Sequence, residues 1–232
     1  MPMTNYPAFC AVSRVSPLDD LNLNRIFPGN PVGSPTEQIA SFIDTQILPR
    51  VDFVLDFHTG ASKSDWIPCT FIYGIKNKLM QEKVDAVSCF GTKYSMVIPG
   101  GGSAGSLLSA CEKHNVPSIS TEIRGGATLA SEAFHIALSG LYRVLKLRGA
   151  LEETPVSAHD GGTSFLQFQK IESLMAPIDG MLVPEYTLGE KVEEGQLAGR
   201  IYPIDDLTRS PVDIKYDCEG LISMCSTSTL KK

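Results

Sequence analysis

Apolar residues recur at helical spacing through Ile39, Phe42, Ile43 and Ile47, directly after Ser34-Pro35-Thr36-Glu37 and up to Pro49. Serine three residues ahead of glutamate is a capping box, and proline suits the first helical position, so an amphipathic helix is predicted here. The period then changes. Val51-Asp52-Phe53-Val54-Leu55-Asp56-Phe57 is a short run rich in β-branched and aromatic residues, which predicts a strand buried inside a sheet and ending at His58-Thr59-Gly60. Downstream, the pattern predicts a helix over residues 77–90 closed by Gly91, a strand over 94–98, and a helix capped by Ser103 and running to His114. A strand over 117–123 and a long helix over 128–148 follow, the helix with Phe134, Leu138, Leu141 and Leu145 on one face. Helices alternating with strands predict an α/β layer around a mostly parallel sheet.

The pattern breaks near residue 150. A polar stretch with Pro155, Gly161 and Gly162 predicts a linker over 151–164, and nothing beyond it has helical period. From Phe165 onward, short β-like pieces are punctuated by Pro177, Gly180, Pro184, Gly189, Gly195, Gly199, Pro203, Pro211 and Gly220. The expected organisation is an α/β domain over 1–150, a linker over 151–164 and a small all-β domain over 165–232.

Composition narrows the partners. Acidic residues outnumber basic ones, 26 to 20, and no basic stripe exists, so nucleic acid is not an expected partner. No run approaches the roughly 20 apolar residues of a membrane span, and the N-terminus lacks signal-peptide order, so the chain is expected in the cytoplasm and off the membrane. The six cysteines have no C-x-x-C spacing and are expected as reduced thiols, mostly in the core.

In an open α/β sheet, ligands bind at the carboxyl ends of the strands, which directs attention to His58 and Glu122. Asp56 and His58 share a face on a strand, and a carboxylate beside an imidazole fixes the tautomer that leaves one nitrogen for a metal. Taken alone, a D-x-H more often marks a hydrogen-bonded histidine that closes a strand. Glu122, where a buried strand gives way to Ile123-Arg124-Gly125-Gly126, suits a general base or a partner for Arg124. Arg14 and Arg25 lie in loops rich in turn formers, and Asn24-Arg25 followed by apolar Ile26-Phe27 could hold a guanidinium ready for a carboxylate. A competing signal is Gly100-Gly101-Gly102-Ser103-Ala104-Gly105, which spells G-x-G-x-x-G between a strand and a helix and would suit a dinucleotide-binding oxidoreductase. It is also what an ordinary glycine-rich strand-to-helix turn looks like.

Several ordered segments resemble the succinylglutamate desuccinylase and aspartoacylase family, zinc-dependent amidohydrolases related to the metallocarboxypeptidases. They are Asn5-Tyr6-Pro7-Ala8-Phe9, Arg14-x-Ser16-Pro17-x-Asp19, Asn22-Leu23-Asn24-Arg25-Ile26-Phe27-Pro28-Gly29, Asp56-Phe57-His58-Thr59-Gly60 and Thr121-Glu122-Ile123-x-Gly125-Gly126. The tail, with Ala176-Pro177-x-x-Gly180 and the segment from Gly189 to Gly199, is similar to the family's C-terminal β domain, itself like a biotinyl or lipoyl module. Asp205-Asp206-Leu207-Thr208-Arg209 stands where such a module carries its lysine turn, so a structural cap or assembly surface is expected rather than a swinging arm.

The resemblance implies a zinc-carboxypeptidase-like sheet, mostly parallel or mixed and flanked by helices, followed by a small all-β barrel-sandwich domain. It implies a hydrolase that removes an acyl group from an N-acyl amino acid by glutamate-assisted attack of zinc-bound water, with the substrate as its partner and a homo-oligomer among the options. His58 matches the last of the histidine zinc ligands and Glu122 the glutamate that activates water. Arg14 matches the arginine that polarises the scissile carbonyl, and Asn24 and Arg25 match the pair that grips a substrate carboxylate. One departure stands out: the family's first two zinc ligands come from an H-G-x-E type motif upstream of the segment where this chain begins, and no H-x-x-E occurs here. The expectation is therefore an N-terminally shortened α/β domain, with an inactive remnant that binds ligand or assembles as the alternative.

Overall fold

The computed structural model describes residues 1, 3–74, 77–100, 102–167 and 173–226. They divide into two compact units, the first built from Met1–His58, Cys69–Thr121 and His135–Phe168, the second from Thr59–Pro68, Glu122–Phe134 and Gln169–Lys232. In chain order the helices are α1 (Tyr6–Cys10), α2 (Pro35–Phe42), α3 (Met80–Phe90), α4 (Leu107–His114) and α5 (Ser131–Leu147). The strands are β1 (Val54–Asp56), β2 (Ser64–Trp66), β3 (Cys69–Tyr73), β4 (Tyr94–Ile98), β5 (Ser118–Glu122), β6 (Ser164–Gln167), β7 (Met181–Pro184), β8 (Lys191–Val192), β9 (Leu197–Tyr202), β10 (Val212–Lys215), β11 (Gly220–Leu221) and β12 (Met224–Ser226).

The first unit is organised around a sheet of order β1-β5-β3-β4-β6. The pairs β1/β5, β3/β4 and β4/β6 are parallel, as an α/β layer requires. Strand β3, buried at all five positions, was not foreseen: Cys69-Thr70-Phe71-Ile72-Tyr73 has no alternation and is too short to stand out from a buried helix segment. The run expected as an interior strand, β1, instead stands at the end of the sheet order, with every residue only partly buried and Phe57 43% exposed. Its apolar composition is that of a central strand, but lateral position is a tertiary property.

Helix α2 begins where its signals place it, with the capping box of Ser34 and Glu37 present and the Glu37 carboxylate accepting from the Ser34 N–H at 2.8 Å. The chain continues as a π-helical turn at Ile43–Ile47 and a 3-10 turn at Leu48–Arg50. Ala40, Ile43 and Leu48 pack there against Phe27, Ala110, Cys111 and Val116 in a buried cluster. Helix α4 starts three residues later than expected. Ser106, not Ser103, is its cap, with its hydroxyl accepting from the Ser109 N–H at 3.2 Å.

Helix α5 buries a different stripe from the one its leucines suggest. Gly140 and Val144 are buried, while Phe134 and Leu138 are 51% and 36% exposed. A side chain at Gly140 would strike the ring of Phe90, itself fully buried, so the missing Cβ lets the aromatic ring lie on the helix backbone. Gly140→Val is expected to destabilise the protein by roughly 1–3 kcal/mol through overpacking, read as a lower urea midpoint. An unchanged midpoint would mean that Phe90 moves aside freely.

The expected all-β tail contributes mostly to the second unit, with one exception. Strand β6 pairs in parallel with β4 and so extends the sheet of the first unit. The remaining strands form small antiparallel sheets of order β10-β9-β7, β11-β8 and β12-β2, with Val192, Ala198, Ile201 and Ile222 buried. The pairing of β12 with β2 joins the far end of the described chain to residues 64–66.

All six cysteines are free, but their burial is mixed. Cys69 and Cys111 are buried, Cys10 is exposed and Cys89, Cys218 and Cys225 lie between, which corrects the expectation of mostly core thiols. Burial pushes the Cys111 thiol up to about 12, so it remains protonated at neutral pH.

Candidate functional site

His58 follows β1 directly, and its backbone is fixed by its neighbour strand. The His58 N–H donates to the Thr121 hydroxyl at 3.0 Å, which in turn donates to the His58 carbonyl at 3.3 Å. Its Nε2 lies 2.8 Å from Asp56 Oδ2 and 3.2 Å from Asn24 Nδ2. One ring nitrogen cannot donate to the carboxylate and accept from the amide at once. The shorter contact, to a carboxylate, fits an Nε2–H that donates to Asp56, the tautomer that keeps the imidazole lone pair on Nδ1. The D-x-H spacing therefore produces the pair that its shared face suggested.

Asn24 is oriented from its other side. Its Oδ1 accepts the Leu107 N–H at the start of α4 at 2.7 Å, so the amide oxygen faces the helix and the amide nitrogen faces His58. Asn22 caps the short 3-10 turn Leu23–Arg25 through its own side chain, which accepts from the Asn24 N–H at 3.0 Å. Arg25 is exposed, with one guanidinium nitrogen donating to the Asn24 carbonyl at 2.6 Å. Phe27 anchors the segment in the core, its N–H donating to the Gly105 carbonyl at 3.0 Å.

One of those contacts reaches the glycine run, at Gly105. Gly100, Gly102 and Gly105 have φ of 67°, 64° and 78°, and Gly101 lies outside the described residues. A Cβ on Gly102 would meet the Tyr73 ring, and one on Gly105 the Arg25 carbonyl. Of the N–H groups at the start of α4, those of Leu107 and Ser109 are taken by Asn24 and Ser106. Gly105 thus serves close packing against the Arg25 backbone and Gly102 against the Tyr73 ring, and protein groups take two of the N–H groups that a phosphate at this helix start would use.

Arg14 is exposed in the loop after α1. The Asp19 carboxylate in the same loop caps α2 from outside, accepting the Thr36 N–H and hydroxyl at 2.8 Å each. Desolvation works against the Asp19 charge, but hydrogen bonds from Thr36, Ser34 and Leu21 hold its carboxyl below the usual range. The serine-proline-aspartate motif is thus a loop anchor. Asn5 likewise caps α1, accepting the Ala8 N–H at 3.3 Å.

Glu122 closes β5, two residues beyond Ser120, which is the register partner of Asp56. It is half-buried and opens the second unit's segment Glu122–Phe134. Arg124 pairs with Asp65, Nη2 to Oδ2 at 2.9 Å. Asp65 had no signal in the sequence, because nothing local ties it to a turn some sixty residues later. Thr121 could have been found, since it immediately precedes Glu122 in the motif.

A catalytic zinc takes three protein ligands and keeps one open position. Among the described residues, no group of three or more histidine, cysteine, aspartate or glutamate side chains is placed to hold a metal. His58, paired with Asp56, supplies a single imidazole, so the described residues do not by themselves fit a zinc site.

The catalytic-domain model of the succinylglutamate desuccinylase/aspartoacylase family matches residues 1–148. The chain belongs to this family. An N-α-acetyl-L-2,4-diaminobutyric acid deacetylase from Halomonas elongata is 31% identical over 228 residues, which is 96% of this chain and 66% of that protein. The chain therefore spans about two thirds of the length of this curated relative. A succinylglutamate desuccinylase/aspartoacylase from Rhodobacter sphaeroides superposes with a TM-score of 0.89 at 29% identity, over 99% of this chain and 70% of that one. The product-bound ectoine utilization protein EutE (DoeB) from Ruegeria pomeroyi gives 0.87 at 30% identity, over 100% of this chain and 70% of that one. The family is one of deacylases, and its α/β architecture with small antiparallel sheets is the one found here. Among the described residues, no helix is long and apolar enough to cross a membrane.

Proposed function

We propose that this chain belongs to a zinc-dependent hydrolase that removes an acyl group from an N-acyl amino acid in the cytoplasm. The observation that carries the reading is the Asn24-His58-Asp56 cluster at the end of β1, in a chain of this family. His58 would hold the zinc with its imidazole, and the other ligands are not among the described residues. A zinc held there would supply Lewis-acid chemistry toward water and the acyl carbonyl.

The roles of the remaining side chains follow from their chemistry. Glu122 takes a proton from the attacking water and delivers it to the amine as the C–N bond breaks, giving a free carboxylic acid and an amino acid. Arg14 faces the acyl oxygen as negative charge develops on it. Asn24 and Arg25 receive the carboxylate of the amino acid, Arg25 with an exposed guanidinium and Asn24 with an amide already held by Leu107. The division of labour belongs to the same proposal: catalysis in 1–150, a linker over 151–164, and a cap or assembly surface in 165–232.

The test is release of free amine from N-acetyl and N-succinyl amino acids by the purified chain, with added zinc and with chelator. Turnover that chelator abolishes supports the reading. Saturable binding of an N-acyl amino acid without turnover would assign the chain a ligand-binding role, and absence of both overturns the proposal.

A further inference from the structure

The turn after Glu122 is an unusual piece of backbone. Arg124 and Ala127 adopt left-handed φ of 59° and 58°, which L side chains disfavour, and Gly126 between them has φ 70°. Non-glycine residues in this region persist only where their surroundings over-determine them.

Here the surroundings are the loop that leads into β2. The Arg124 carbonyl accepts the Gly60 N–H at 2.8 Å, the Gly126 N–H donates to the Ser64 carbonyl at 3.0 Å, and the Ala127 N–H donates to the Ala61 carbonyl at 3.1 Å. Gly125 is pressed so closely to the Ser64 carbonyl that a Cβ has no room. The side-chain element of this clamp is the ion pair of Arg124 with Asp65 at 2.9 Å, in which the carboxylate is 18% and the guanidinium 34% exposed. Asp65 is itself held by β12, with Cys225 as its register partner, and the Ile67 N–H donates to the Ser223 carbonyl at 3.0 Å.

We propose that Asp65 and Arg124 are positioning residues for the Glu122 carboxylate, and that β12 makes the C-terminal part of the chain a support for that turn. The inference rests on the reading of Glu122 as the general base. The physical reason is that a base must reach its proton at hydrogen-bond distance, and a displacement of about 1 Å can cost a hundredfold in rate. The two strained left-handed residues of the turn, Arg124 and Ala127, would relax toward ordinary φ if their tether were cut. That relaxation turns the end of β5.

The test uses the 232-residue chain and the variants Arg124→Met, Asp65→Asn and Arg124→Lys, each with wild-type circular dichroism. The carboxyl carbon resonance of Glu122 reads its surroundings without any need for turnover. A displaced resonance in Arg124→Met and Asp65→Asn, returned toward the wild-type position by the charge-keeping Arg124→Lys, is the expected result. In the hydrolysis assay, kcat should fall roughly ten- to hundredfold in the first two variants with KM unchanged. An unmoved resonance in both variants overturns the proposal, as does a rise in KM at constant kcat. A wild-type chain without turnover whose Glu122 resonance still moves in the variants supports the clamp and counts against Glu122 as the base, so the two failures are distinct.

Discussion

Glu112→Ala is expected to lower the stability of the protein by about 3–5 kcal/mol, the usual cost of leaving a buried charge without its partner. Lys83 on α3 has no exposed surface and is paired with Glu112 on α4, whose side chain is 9% exposed. Among the described residues, Asn77 donates to the other Glu112 oxygen at 3.0 Å, and the Lys83 ammonium reaches the Tyr73 carbonyl only at 3.5 Å. Removing the carboxylate therefore strands an ammonium in the interior beside β3. The double variant Lys83→Met/Glu112→Leu removes both charges together and should fall close to the wild type or above it, since desolvating two ions offsets most of their attraction. Urea unfolding of the single and double variants with unchanged slopes is the measurement. A single variant within 1 kcal/mol of wild type would mean that Lys83 finds water or a new acceptor.

The second large effect concerns turnover. Glu122→Gln keeps the size of the side chain and removes its basicity, so kcat for an N-acyl amino acid should drop by about 10²–10⁴ while KM stays near the wild-type value. The glutamine can still hydrogen-bond water but cannot take its proton. A kcat within threefold of wild type would remove Glu122 from the reaction and move attention to another base. A collapse of KM and kcat together, with altered dichroism, would show a folding effect, and Glu122→Asp then separates shortened reach from lost basicity. The proposed clamp adds a second expectation here, because Arg124→Met should reproduce part of the kcat loss with Glu122 still in place.

Much of the molecule was legible in its local chemistry. The capping box at Ser34 and Glu37 set the start of α2, and the β-branched and aromatic runs marked β4 and β5 to within a residue or two. Asp56 and His58 could be paired in advance, since residues two apart on an extended chain face the same way. Where the reading missed, a neighbour distant in sequence had the deciding vote. The face of α5 turned on the Phe90 ring over Gly140, not on the leucine stripe. The cap of α4 falls at Ser106, directly after Gly105 passes close to the Arg25 carbonyl.

What the amino-acid sequence determined alone was therefore the type of elements such as α2, β4 and β5, the family motifs and the chemistry on offer at His58, Glu122, Arg14, Asn24 and Arg25. Those properties depend on side-chain identity and on spacings of a few residues. The tertiary structure decided which way the Asn24 amide faces, since its oxygen is claimed by a helix start 83 residues away. It also decided that β1 ends the sheet order, that β12 returns to pair with β2, and that Arg124 meets Asp65. Each of those outcomes is a contact between distant segments, and its free energy exists only once the backbone hydrogen bonds of the intervening sheet and helices have brought the two segments together.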